Sequence, residues 1–328
     1  MRQIFACITI FVSASSAFAW HDGGHKTVAA IAFRQLSPVE KTAVFELLKK
    51  HPRFPEEFAA KTPSSLTDDA KIEWAFQQAA VFPDIARGYQ GNLKTTFHRP
   101  LWHFINFPEF LSSDDRQALH PEASLNLSTS TPSQLADDSN VIQVIRSARS
   151  TIADTSKGES ERALMLSWLF HTIGDVHQPL HSTAFFSRGL FPTGDRGGNR
   201  VSTIQKDNLH SVWDDFPGGR LSFRTVQQQA ISLLAIPELQ ALGTQATVDL
   251  DEMKWVEESK ALAMGLVYDD ELLATLRIME AAHTDIEHQP IHLSEDYLRA
   301  GDAACDKRVV QAGFRLGAIL KGLVAAAH

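Results

Sequence analysis

The segment "HTIGDVHQPLH", His171 to His181, restricts the fold more than any other stretch of the chain. Residues four apart share one face of an α-helix, so His171 and Asp175 point the same way only if the segment is helical. Pro179 cannot continue that helix, and the turn it forces carries His181 back towards the same side. A neutral imidazole and a carboxylate are ligand types that zinc accepts, although one such pair alone is more often a hydrogen-bonded surface or core pair. "NLHSVWDD" repeats the spacing with His210 and Asp214. Asp215 lies about 100° further round the helix, so Asp214 is the better ligand and Trp213 reads as a packing residue. Two such pairs on either side of a glycine-rich stretch favour a metal site.

Helical signals dominate the rest of the chain. Ser37-Pro38-Val39-Glu40 is a capping box with proline at the first helical position, and Val44, Phe45, Leu47 and Leu48 supply the apolar face. Comparable patterns lie near 70–80, 138–153, 161–177, 222–234, 251–267, 271–282 and 302–326. Strand-like alternation is scarce, and neither a repeat nor a linker is evident. The expectation is an all-α fold, one multi-helix domain over residues 20–328. Two irregular stretches interrupt it, at about 83–135 and 182–203, and long loops in a compact domain are commonly functional. In the second, Phe185, Phe186 and Phe191 are either stacking surfaces for a ligand or packing of the loop onto the body.

Residues 1–19 combine Arg2, an apolar run from Ile4 to Val12, and the small residues Ala17 and Ala19 just before Trp20, the layout of a cleavable signal peptide. An exported chain beginning at Trp20 follows as the expectation, secreted or periplasmic. Its single thiol would be Cys305, so no intramolecular disulfide is possible. No later run reaches the roughly 20 apolar residues of a membrane helix, so no stable membrane insertion is expected. The formal net charge of −8 argues against a broad basic groove for nucleic acid. An anionic substrate would have to be attracted locally, for example by bound metal ions.

Further candidates lie upstream: Asp84 in "PDIAR", His103 in "WHFIN", and His25 in "WHDGGH". Singly, Asp84 reads as a helix cap and His103 as a core histidine among Trp102, Phe104 and Ile105. Together with "HTIGDVHQPLH", "GGN", "NLHSVWD" and the weaker "AGFRL", they run in order over nearly all of residues 20–328. In this the chain resembles the zinc-dependent nucleases of the S1/P1 type, whose helical fold, with long loops around a trinuclear zinc cleft, is shared with zinc phospholipase C.

That resemblance implies three Zn²⁺ ions. One would be held by Asp84, His103, His171 and Asp175. A second would be held by Trp20, through its free α-amine and its carbonyl, and by His25, with Asp175 bridging. The third would be held by His181, His210 and Asp214. By formal charge, three Zn²⁺ against three aspartates leave a positive site inside an acidic protein. The resemblance further implies Asp84 orienting the nucleophile and Arg87 stabilising charge on the transferring phosphoryl group. Phe104 would stack on a base, Asn106 would stand where some members have an aspartate that bonds the base, and Asn199 would position Asp84 or the phosphate. His177 carries no ligand role and is expected in a supporting or surface position.

The activity implied is hydrolysis of single-stranded DNA and RNA to 5′-phosphorylated products, with 3′-mononucleotides as further substrates and no obligate protein partner. A zinc phospholipase C and a non-catalytic zinc-binding envelope protein are the alternatives. Asp214 in place of glutamate, Arg87 and "NLHSVWD" favour the nuclease over the lipase.

Overall fold

Side-chain caps set most of the helix boundaries. The computed structural model describes residues 20–326, so the signal-peptide reading of residues 1–19 lies outside the described residues. In chain order the helices are α1 (Asp22–Gln35), α2 (Pro38–Leu48), α3 (Asp68–Arg87), α4 (Gly91–Phe97), α5 (Ser113–Ala118), α6 (Val141–Ala153) and α7 (Glu159–His177). They continue as α8 (Leu209–Asp215), α9 (Phe223–Leu234), α10 (Pro237–Ala246), α11 (Glu252–Leu262), α12 (Asp270–Ala281) and α13 (Glu295–Ala326). The fold is all-α, as expected. Ser37 and Glu40 close the predicted box at the start of α2, the Ser37 N–H donating to Glu40 Oε2 at 2.7 Å and the Glu40 N–H to Ser37 Oγ at 3.4 Å. Asn140 and Gln143 form a second box on α6.

Several elements depart from the expected pattern. Helix α1 carries Gly23 and Gly24 in its first turn, which weakens its local helical signal. Tertiary burial overrides that: Val28 to Ala32 are fully buried and the helix packs on α13, α3 and α9. The irregular stretch does not start at Pro83, because α3 runs through it to Arg87. Proline here costs one backbone hydrogen bond, while Phe82, Pro83 and Ala86 are held in the interior. Helix α13 starts at Glu295, well before residue 302, because Ser294 Oγ accepts the Tyr297 N–H at 3.2 Å.

The largest apolar core joins α1, α3, α6, α7 and α13. A smaller cluster lies beneath residues 185–213 and gathers Phe185, Phe191, Trp213 and Tyr268. Phe185, Phe186 and Phe191 are all buried, so they pack the segment onto the body and offer no face to a base. Each buried phenylalanine stabilises by about 1.5–3 kcal/mol relative to exposure, which decides between the two roles. Phe185 and Phe186 belong to strand β2 (Thr183–Phe186), paired in parallel with β1 (Phe107–Phe110). This short ladder fixes the register between "WHFINF" and "PLHSTAFF", with the Ile105 N–H donating to the His181 carbonyl at 2.9 Å.

His177 is not at the surface. It is fully buried, its Nδ1 donates to the Ile173 carbonyl at 2.7 Å, and its Nε2 accepts from Arg315 Nη1 at 2.8 Å. Arg315, the arginine of "AGFRL", forks onto Glu258 at 2.7 Å through both terminal nitrogens. Arg308 joins Glu258 at 2.6 Å and donates to the His177 carbonyl at 3.1 Å. Burial pushes the Glu258 carboxyl up, but the two guanidinium groups outweigh it and hold it below the usual range. That network ties α7, α11 and α13 together.

Candidate metal centre and cleft

The site forms where α1, α3, α7 and α8 converge with the turn after α7. The structure brings together His25, Asp84, His103, His171, Asp175, His181, His210 and Asp214. They fall into three groups: His25, His171 and Asp175; Asp84, His103 and His171; and His181, His210 and Asp214. Within each group the candidate ligand atoms lie within 4.8 Å of one another. Asp175 is central, with Oδ2 at 3.1 Å from His103 Nδ1 and 3.3 Å from His171 Nε2, and Oδ1 at 3.4 Å from His25 Nε2.

Backbone carbonyls fix how three of the imidazoles point. His171 Nδ1 donates to the Ala80 carbonyl at 2.7 Å, His181 Nδ1 to the His103 carbonyl at 2.7 Å, and His210 Nδ1 to the Gly197 carbonyl at 2.6 Å. A carbonyl oxygen only accepts, so each Nδ1 carries the proton and each Nε2 presents a lone pair. The Nε2 atoms of His181 and His210 therefore face each other at 3.2 Å, two lone pairs directed at one another. Such an arrangement repels until a proton on one ring or a metal ion comes between the two nitrogens, and two neutral imidazoles so aimed are zinc ligands in type.

Other polar atoms converge without partners. Both ring nitrogens of His25, His103 Nε2, Asp175 Oδ1 and Asp214 Oδ2 are buried and make no hydrogen bond among the described residues. Burial drives the His25, His103 and His171 imidazoles towards the neutral form and pushes the Asp175 and Asp214 carboxyls upward. Neutral imidazoles opposite buried carboxylates are what a divalent cation stabilises, so the donor set fits zinc in type and orientation. Gly174 is part of the fit: a Cβ there would lie 2.5 Å from His25 Nδ1, and the His25 ring stacks on His171 at 3.9 Å.

Trp20 is fully buried beside this centre, its ring edge-on to His25 at 6.5 Å. The next residue ties the segment before α1 to the third group, the His21 N–H donating to the Asp214 carbonyl at 3.3 Å. Asp84 and Arg87 sit at the end of α3, with Arg87 Nη2 at 2.8 Å from Asp84 Oδ1. A cleft of about 600 Å³ opens over the centre. Arg87, His103, His181 and His210 line it, and so do Phe104, Asn106 and Asn199. The Asn199 amide donates to the Arg196 carbonyl at 2.8 Å rather than to Asp84.

Two residues that the sequence did not single out support the ligands. Gln178 Nε2 donates to Asp214 Oδ1 at 2.9 Å, and its Oε1 accepts the Leu180 N–H at 2.6 Å. Asp195 is buried and accepts the N–H groups of Phe185, Gly197 and Gly198, along with the Tyr268 hydroxyl. Burial raises the Asp195 carboxyl to about 6 against those hydrogen bonds. The signal for it was present as Asp-Arg-Gly-Gly, an aspartate before glycines that turns the backbone onto its own side chain.

A family model described as S1/P1 Nuclease matches residues 20–325. The chain belongs to the S1/P1 nuclease family. Among curated proteins it is 22% identical to Endonuclease 4 of Arabidopsis thaliana over 98% of this chain and 94% of the relative. Nuclease P1 of Penicillium citrinum is 33% identical over a shorter stretch, 23% of this chain and 26% of that protein. Family membership makes the chain a hydrolase of phosphodiester bonds whose substrates are nucleic acids. No helix of the described residues is long and apolar enough to cross a membrane.

Proposed function

We propose that this protein is a secreted or periplasmic nuclease using three zinc ions, which hydrolyses single-stranded DNA and RNA to 5′-phosphorylated products and also releases phosphate from 3′-mononucleotides. The observation that carries the zinc reading is the facing pair of His181 and His210 Nε2 atoms, 3.2 Å apart with both Nδ1 atoms committed to carbonyls. Asp84, His103, His171 and Asp175 would hold one ion, Trp20 and His25 with Asp175 a second, and His181, His210 and Asp214 the third. Zinc bound there supplies Lewis-acid charge for the phosphoryl group and a nucleophile available at neutral pH.

The residues of the chain do the rest. Arg87 holds Asp84 in place while its guanidinium lines the cleft to receive charge developing on the phosphoryl oxygens. Water's oxygen forms the new bond to phosphorus, the 3′-oxygen leaves and takes up a proton, and the 5′-phosphate remains with the other fragment. Phe104 offers a stacking face in the cleft, and Asn106 offers both a donor and an acceptor to a base edge. Stacking needs an unpaired, unstacked base, which single strands supply and duplexes do not.

Trp20 would act through its backbone. In a peptide bond its nitrogen lone pair is delocalised and cannot bind zinc, whereas cleavage before Trp20 would create an α-amine that can. The family match starts at Trp20, which supports this reading of the boundary. The test is a parallel assay of single-stranded DNA, RNA, 3′-mononucleotide and phosphatidylcholine, using protein that begins at Trp20. Hydrolysis of the first three, lost with chelator, is expected. A form carrying one extra N-terminal methionine should bind less zinc and lose most activity. Turnover of phosphatidylcholine alone would replace the nuclease reading with a phospholipase.

A further inference from the structure

The segment "GDRGGNR", Gly194 to Arg200, contains three successive residues in the left-handed region: Arg196 at φ 57°, Gly197 at 60° and Gly198 at 79°. Glycine reaches that region without strain, and at position 197 nothing larger fits, because a Cβ would lie 2.3 Å from the Leu180 carbonyl. Arg196 is the exception, since an L side chain there is strained. Its backbone is imposed by Asp195, whose Oδ1 accepts the Gly197 N–H at 3.0 Å and whose Oδ2 accepts the Gly198 N–H at 2.9 Å. The same frame sets the Gly197 carbonyl on His210 Nδ1. Ligand positioning therefore explains the backbone at 196 but not the side chain, for which glycine would remove the strain.

The neighbouring arginines sharpen the contrast. Arg188 pairs with Asp115 at 3.1 Å and Arg200 pairs with Glu287 at 3.1 Å. Arg196 is exposed, lines the cleft alongside Arg87, Lys94 and His98, and makes no ion pair among the described residues. An arginine that lines the cleft over a candidate phosphoryl-transfer centre, with no carboxylate of its own among the described residues, is suited to a second anion.

Building on the nuclease reading above, we infer that Arg196 is a substrate-binding residue that holds a phosphodiester adjacent to the scissile one, so that the enzyme favours a chain over a mononucleotide. The arginine adds to the basic side of the cleft that Arg87, Lys94 and His98 form, inside a chain whose formal net charge is −8.

The experiment uses zinc-loaded protein beginning at Trp20, as wild type and as Arg196→Gly, Arg196→Asn and Arg196→Lys. Asparagine tolerates the left-handed region, so it removes the charge even if the glycine variant folds poorly. Binding of a fluorescent phosphorothioate single strand is followed by anisotropy across a salt series, beside kcat/KM on an oligonucleotide and on a 3′-mononucleotide. The neutral variants should bind the strand roughly tenfold or more weakly, as expected for one lost charged hydrogen bond. The slope of log affinity against log salt should shrink by about 0.7, one phosphate contact on a single strand. Mononucleotide turnover should stay within about twofold, thermal stability should not fall in the glycine variant, and lysine should recover most of the binding. Unchanged strand binding and slope, or equal losses on both substrates, would overturn the role. A wild type that neither binds nor cuts the strand overturns the nuclease reading itself, and this inference with it.

Discussion

His171 and His177 lie less than two turns apart on α7, both fully buried, yet their surroundings are opposite in kind. Around His177 every polar atom is matched: Ile173 takes one ring proton, Arg315 supplies another, and Glu258 balances the two arginines. His171 itself bonds the Ala80 carbonyl through Nδ1 and His103 Nδ1 through Nε2, but beside it both ring nitrogens of His25, His103 Nε2 and Asp175 Oδ1 are buried with no hydrogen bond among the described residues. Buried polar groups are expensive unless satisfied, so a closed network serves structure, while a cluster of unbonded imidazole and carboxylate atoms has the donor types that a metal ion takes. The hydrogen bonding of their neighbours, rather than residue type, separates the two histidines.

The largest effect should come from the open cluster. Asp175→Asn keeps the shape but removes the charge that His25, His103, His171 and, at 3.7 Å, His181 approach, so zinc content should fall and hydrolysis of single-stranded DNA should drop at least about 10³-fold, several kcal/mol of charge stabilisation. Metal analysis and kcat/KM on the same preparation check it, and undiminished activity would remove Asp175 from the centre.

Breaking the closed cluster should have the opposite profile. Glu258→Leu leaves two buried guanidinium groups without their carboxylate and should cost about 3–5 kcal/mol of stability, read by denaturant unfolding. Zinc bound per folded chain should be unchanged. Loss of zinc without loss of stability would mean that the two regions are one functional unit.

The smallest effect concerns another buried imidazole, His51, which packs against Phe82 of α3 and belongs to none of the three candidate ligand groups. His51 packs against Phe58 and Phe82, its Nδ1 accepts the Arg53 N–H at 3.1 Å, and burial lowers it to about 3 from 6.5. The unfolded chain therefore takes up this proton first as pH falls, so the contribution is complete above 6.5 and is lost between there and about 3. His51→Asn keeps an acceptor for Arg53 and removes the titration. Between about pH 7.5 and about pH 5 the wild type should lose more Tm than the variant, and parallel curves would contradict the assignment.

Much of this contrast could be read before the structure. The spacing of His171, Asp175, His210 and Asp214 required helices with shared faces, and α7 and α8 supply them. The capping box at Ser37 and the helical periods were local signals, and local signals survive into the fold. What escaped was tertiary. Helix α1 hides behind two glycines, and the run of α3 through Pro83 depends on burial that no local pattern records. The Phe185, Phe186 and Phe191 side chains have the chemistry of a stacking surface, and only their position under the segment makes them core. Gln178 acts through Asp214, far away in sequence, so spacing could not reveal it, whereas Asp195 had a local signal in Asp-Arg-Gly-Gly and only its bond to Tyr268 is distant.

The most direct test of the central claim is the zinc content of protein that begins at Trp20, measured against activity on single-stranded DNA as metal is removed and returned. Three zinc ions per chain are expected, with hydrolysis lost on chelation and restored by zinc. A metal-free preparation that still cuts the strand would contradict the claim, as would a fully active protein holding no more than one ion.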